Sequence, residues 1–147
     1  ASVIRRLVDQ ETIVIAAGGG GIPVAQQGDE LVGVSAVVDK DLTAALLAKL
    51  IDADCLLIST AVDSVYLNFN TNNRKALHTV NLSEAERYLE EGQFPPGSMG
   101  PKIEAIISFL RNGGRTGIIT SPDKMLVAMD GQAGTHFVIR AVCEPTM

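Results

Sequence analysis

Lys102 stands where a lysine has little reason to be unless it meets an anion. It closes the stretch Phe94-Pro95-Pro96-Gly97-Ser98-Met99-Gly100-Pro101 and opens an apolar-periodic one. Ile103, Ile106, Ile107 and Leu110 recur at i, i+3, i+4 and i+7, which predicts a helix with one apolar face. Pro101 suits the first turn, where a missing N–H costs nothing, and Gly113-Gly114 stops the helix. A cation at a helix N-terminus is opposed by the dipole, whereas a phosphate there finds free N–H groups. Lys102 therefore reads as a lysine that meets phosphate and adds nothing to folding stability. The plainer reading is a solvated lysine on a proline-started helix.

Two further stretches carry chemistry of the same kind. Gly18-Gly19-Gly20-Gly21 follows the apolar run Ile13–Ala17; such a loop lets backbone come close to a ligand and point N–H groups at it. A flexible turn is the alternative. Asp39-Lys40-Asp41 precedes Leu42, Ala45, Leu46 and Lys49 in helical phase, with Asp41 a good N-cap. Capping explains one aspartate. An acid-base-acid cluster there can also hold a lysine ammonium by ion pairing, against the alternative of a solvated charged turn.

These residues need elements to position them. Ile13–Ala17, Cys55–Ser59, Thr116–Thr120 and His136–Ile139 are short, apolar and rich in β-branched residues, as buried parallel strands are. Helical patterns lie between them. The segment 83–86 reads as a capping box ahead of Tyr88 and Leu89, and Ser121-Pro122-Asp123 opens a last helix bearing Met125, Leu126 and Met129. Leu31–Val34 reads as a short extended return, Leu67–Phe69 as a short strand and Leu77–Val80 as its hairpin partner. The alternation predicts a three-layer α/β sandwich, a mostly parallel sheet covered by helices on both faces. The loops at 18–24, 39–41 and 97–102 then fall at strand ends, where open α/β sheets bind ligands.

Composition narrows the function. The chain has 147 residues and a net charge of −5, with no basic run, which argues against nucleic acid as partner. Cys55 and Cys143 are too few for a disulfide framework, and Cys55, in an apolar run, reads as a buried thiol. His78 and His136 stand alone, without metal-ligand spacing, so no metal site is expected from protein ligands. No P-loop signature is present. No segment reaches a membrane span and no signal peptide is visible, so a cytoplasmic protein is expected. The first residues already look helical (Val3, Ile4, Leu7, Val8), as if an upstream part preceded them.

From about residue 3 to 138 the chain closely resembles the C-terminal half of the carbamate kinases, within the amino acid kinase family. The resemblance rests on blocks in the same order: Val14 to Val24, Val38 to Leu42, Thr60 to Phe69, Gly92-Gln93-Phe94 with Pro96 to Lys102, and Ala133-Gly134-Thr135. It implies a reversible, Mg2+-dependent phosphoryl transfer between ATP/ADP and carbamate/carbamoyl phosphate, in arginine metabolism. By the same resemblance Gly18, Gly19 and Gly20 would lie at the carbamate and the transferred phosphoryl group. Lys40 and Lys102 would neutralise phosphate charge, and Asp41 would orient them. Thr60, Val62, Val65, Tyr66, Gly97, Ser98, Met99, Gly100 and Pro101 would wall the nucleotide.

Two departures qualify this. Ala61 stands where the family usually carries an aspartate, which removes one polar nucleotide contact. The family's N-terminal half, with another phosphate loop and a further lysine, has no counterpart here, and the tail Arg140 to Met147 matches no family pattern. The chain alone is therefore expected to be inactive, to expose an apolar face, and to need that N-terminal half or another protein chain, in a homo-oligomer such as a dimer. The alternatives are a non-catalytic fragment or split subunit that at most binds nucleotide, or another amino acid kinase.

Overall fold

The computed structural model describes residues 1–140. Cys143 and the tail beyond Arg140 lie outside the described residues. The main sheet has the order β3-β7-β8-β6, with β3 at Cys55–Ser59, β7 at Thr116–Thr120, β8 at Thr135–Val138 and β6 at Thr79–Asn81. The β3–β7 and β6–β8 pairings are parallel and β7–β8 is antiparallel. Two antiparallel hairpins stand apart from it: β1 (Val24–Gln27) with β2 (Glu30–Gly33), and β4 (Val65–Leu67) with β5 (Lys75–Leu77).

The core forms around α4, Met99–Arg111. Ile103, Ala105, Ile106, Phe109 and Leu110 on it are almost wholly buried. It packs on β3 and β7 and against α2 (Lys40–Leu50) and α3 (Leu82–Glu90). A helix buried on so much of its circumference reads as broadly apolar rather than striped. Along β7 the side chains alternate, so Ile118 and Thr120 point away from α4's face. There the short α5 (Met125–Met129) lies on β7 and buries Ala128. Helices thus lie on both faces of a mostly parallel sheet. Among the described residues no helix is long and apolar enough to cross a membrane.

Several local expectations shift. α4 begins at Met99, so Pro101 sits third in the helix and Lys102 fourth. The capping box belongs to Asn81 and Glu84: the Asn81 side chain accepts the Glu84 N–H at 2.9 Å, and the Glu84 carboxylate accepts the Asn81 N–H at 2.9 Å. Ser83 lies one residue inside the helix. Cys55 is exposed at the free edge of β3. Partial desolvation, and after it the charge of Asp54, push its thiol up from the ordinary value.

The largest difference is at Ile13–Ala17. It forms no strand, and Ile13 and Ile15 are 93% and 98% exposed. A strand is a property of a pair: an apolar run states that it needs covering, but only a neighbour with free N–H and C=O groups makes it a strand. Among the described residues none stands beside it. α1 (Ser2–Asp9) likewise buries no residue and is tied down by the Arg5–Asp52 ion pair.

Removing side chains should reproduce this division. Phe109→Ala, at a site 1% exposed, is expected to cost about 3–5 kcal/mol in urea unfolding. Leu126→Ala, at a site 80% exposed, should change stability by no more than about 0.5 kcal/mol. Equal effects would place the core elsewhere.

Candidate functional site

Three buried or half-buried positions bring the candidate residues together. The acid-base-acid cluster opens α2, and its two aspartates divide the work. Asp39 is the N-cap: its carboxylate accepts the N–H of Asp41 at 2.8 Å and of Leu42 at 3.0 Å. Asp41, expected to cap, is released by this and turns its carboxylate across to α4. There Lys102 Nζ donates to Asp41 Oδ2 at 2.9 Å, and Lys40 Nζ approaches the same oxygen at 3.4 Å. The side chains of Lys102 and Asp41 are 13% and 10% exposed, while that of Lys40 is 60% exposed. Lys40 is thus the solvent-facing cation and Lys102 the enclosed one.

Gly20 brings the glycine loop to the same place. Thr43 Oγ1, on α2, donates to the Gly20 carbonyl at 3.1 Å. Gly20 has φ +125°, and a Cβ there would lie 2.5 Å from the Val38 carbonyl oxygen, so only glycine fits this approach. Gly18 and Gly19 are exposed in the same turn with open space around them. The site therefore gathers the N-termini of α2 and α4, two lysines, the carboxylates of Asp39 and Asp41 and a glycine turn.

A cavity of about 210 Å³ opens beside the ion pair, with Lys102 in its wall. Of the residues expected around a nucleotide, Thr60, Val62, Tyr66, Ser98 and Met99 line it. Val65, Gly97, Gly100 and Pro101 do not. Val65 is fully buried in the core and Gly100 is buried beneath the turn. Ala61 and Ser64, within the run Thr60 to Tyr66 that the resemblance marks, line the cavity too, and Phe69, Phe94 and Pro95 line it without having been expected there. Phe69 and Phe94 lay inside quoted motifs, but nothing in their spacing distinguishes a wall from a core residue. The rings of Tyr66 and Phe69 lie 5.9 Å apart at 57°. Aromatic faces, several hydroxyls and one cation suit a ligand with a flat apolar part and an anionic part.

The burial of the ion pair changes what Lys102 does for folding. A lysine expected to add no stability instead neutralises a carboxylate that is itself nearly buried. Lys102→Met should lower stability by about 1–3 kcal/mol, because Asp41 loses its enclosed partner. Asp41→Asn combined with Lys102→Met should recover part of that loss, since an amide needs no cation. Additive effects in the double-mutant cycle would mean that the pair is not coupled.

Asp39 supplies a pH signature. The Leu42 N–H above all, then the Asp41 N–H and the charges of Lys40 and Lys102, hold its carboxyl below the ordinary value of 3.8, outweighing a smaller opposing effect of burial. A lowered folded-state pKa gives stability that is present above 3.8 and lost as pH falls through the folded value. Asp39→Asn keeps a good cap without a titrating group. It should flatten the acid limb of stability against pH while leaving stability near neutral pH little changed.

Comparison with known proteins shows the family. The sequence profile of the amino acid kinase family matches residues 1–121. A carbamate kinase of Clostridium perfringens is 52% identical over 136 residues, covering 92% of this chain and 43% of that protein. A carbamate kinase of Thermoplasma acidophilum is 46% identical, covering 92% of this chain and 45% of its own length. The structure of a Giardia lamblia carbamate kinase bound to AMP-PNP superposes with a TM-score of 0.88 at 39% identity, over 93% of this chain and 43% of that one. The chain thus spans less than half the length of these relatives. With its profile match, its sheet and the helix N-termini that meet at Asp41 and Lys102, the chain belongs to the amino acid kinase family.

Proposed function

We propose that this chain is the nucleotide-binding half of a carbamate kinase, an ATP:carbamate phosphotransferase acting reversibly with ADP and carbamoyl phosphate. The observation that carries the reading is the juxtaposition of the Asp41–Lys102 pair with the aromatic and hydroxyl-lined cavity. The identity to carbamate kinases and the AMP-PNP bound in the Giardia protein support it.

The chemistry suits the residues. Phosphoryl transfer needs positioning and charge neutralisation rather than a protein nucleophile. In this reading the base and ribose occupy the cavity between Tyr66, Phe69, Phe94 and Met99. The phosphates reach Lys102 and Lys40, and Asp41 holds the two ammonium groups in place without cancelling both. The turn at Gly18–Gly20 offers N–H groups to the carbamate and the transferred phosphoryl. Among the described residues no cluster of three or more potential metal ligands exists, and Asp41 is engaged by lysines. In this reading Mg2+ arrives with the nucleotide, bound through its phosphates.

The site is incomplete as a pocket. Its volume of about 210 Å³ is smaller than the roughly 300–1,000 Å³ of most small-molecule sites, so a nucleotide would be covered on one side only. On the surface, Ile13, Ile15, Ile22 and Val37 are more than four-fifths exposed, and Leu42, Leu46 and Leu50 form a half-exposed row along α2. In the proposal this apolar surface receives the part of a carbamate kinase that the chain does not span, which also closes the site. A non-catalytic module that binds nucleotide is the second reading, favoured by the same open cavity.

The experiment has two parts. The 147-residue chain should bind AMP-PNP weakly and turn over no carbamoyl phosphate with ADP. Co-expression with the segment of a carbamate kinase that it lacks should restore activity. In that complex Lys102→Ala should cost roughly 3–4 kcal/mol of transition-state stabilisation, two to three decades in kcat, and Lys102→Arg should not restore it fully. Complementation without activity would favour the binding module; normal turnover in Lys102→Ala would remove the phosphate role.

A further inference from the structure

Among the described residues the buried polar side chains are Asp41, Ser64, Thr120, Ser121 and Thr135, and none leaves a buried side-chain atom unpaired. Asp41 belongs to the ion pair. Of the other four, Ser64 lies in one segment, the loop from Thr60 to Tyr66 that forms a wall of the cavity, and Thr120, Ser121 and Thr135 bond to it. Burying hydroxyls in a sheet that apolar residues would fill equally well costs free energy unless each is bonded. Their concentration at one loop therefore calls for a reason.

Thr135 supplies the strongest contact. It is 0% exposed and begins β8. Its hydroxyl accepts the N–H of Val65 at 2.8 Å and donates to the carbonyl of Leu77 at 2.5 Å. Val65 and Leu77 are register partners across the β4–β5 hairpin. A single hydroxyl of the main sheet thus bridges the two strands of a hairpin that belongs to no larger sheet. Gly134 makes the approach possible: its φ is +78°, and a Cβ there would stand 3.1 Å from the Ile119 carbonyl oxygen. Next to it, Ser121 Oγ donates to Asp63 Oδ1 at 2.6 Å and Thr120 Oγ1 to the Asp63 carbonyl at 3.2 Å. The hairpin so fixed carries Tyr66 on β4 and Phe69 in the loop between its strands, both in the cavity wall.

We propose that Thr135 is a positioning residue for the nucleotide cavity: its hydroxyl seats the β4–β5 hairpin on the sheet, with Ser121 holding the loop before it, and so sets where Tyr66 and Phe69 stand. Val65 then serves the site through its backbone N–H, as the anchored point of the wall. The proposal rests on the nucleotide reading for the ligand but not for the anchor.

Thr135→Val keeps shape and removes both hydrogen bonds, whereas Thr135→Ser keeps the hydroxyl. Amide hydrogen exchange by NMR reads the anchor directly. In Thr135→Val the Val65 and Tyr66 amides should exchange much faster while those of Phe109 and Ile119 stay protected, and Thr135→Ser should match the parent. Titration with AMP-PNP, followed by tyrosine fluorescence, should give about ten-fold weaker binding for Thr135→Val and near-parental binding for Thr135→Ser. If Thr135→Val does not fold, Ser121→Ala takes its place, with faster exchange expected around Ser64 and Val65 and several-fold weaker binding. Unchanged exchange at Val65, or unchanged affinity beside faster exchange, overturns the proposal. Failure of the parent chain to bind AMP-PNP, with the exchange effect intact, overturns the nucleotide reading and leaves the anchor standing.

Discussion

A carboxylate on one helix and an ammonium on another, 61 residues apart in sequence, hold the two halves of the site together. Asp41 and Lys102 lie in the first turns of α2 and α4, and the positive ends of both dipoles meet around them. Neither charge is comfortable alone. Lys102 faces an unfavourable dipole, and Asp41 is almost removed from water. Together they are tolerable, and with Asp39 and Lys40 beside them the cluster is near neutral, its exposed cation being Lys40. In the proposed reading such a site offers orientation and charge to an anion before a ligand arrives.

The rest of the structure fixes where those two helices can be. α4 is buried on most of its surface and packs on β3 and β7, so Lys102 is placed by a core of isoleucines and Phe109 rather than by its own loop. α2 packs on α4 and leaves Leu42, Leu46 and Leu50 half exposed. The packed core around α4 thus contrasts with an apolar surface left open on α2. Ile13 and Ile15 are also nearly wholly exposed, and β3 stands at an edge of the main sheet.

Much of this was legible in the chain. Strands at Cys55–Ser59 and Thr116–Thr120 occupy the ranges that their apolar β-branched composition marks, because a strand buried by its neighbours needs little beyond that composition. The helix after Lys102 follows from its spacing. Other features were not legible. Asp39 and Asp41 are the same residue type two positions apart, and either satisfies a capping rule; which one caps depends on where a lysine from α4 arrives. Thr79–Asn81 is too short and polar to announce a place in the main sheet, yet β8 pairs with it. Val65 sits within a recognisable motif, but its side chain is core and only its N–H meets the wall's anchor.

By itself the sequence determined the local tendencies: which segments are helical, which runs demand burial, which glycines permit close approach, and which family the motifs resemble. These depend on interactions between near neighbours, and periodicity records them. The tertiary structure alone decided that Asp41 pairs with Lys102, that Thr135 reaches the hairpin, and that Ile13–Ala17 stays unpaired among the described residues. Each of these depends on groups far apart in the chain, whose meeting is fixed by the packing of α4 against the sheet. A sequence carries no term for such distances until the core has formed.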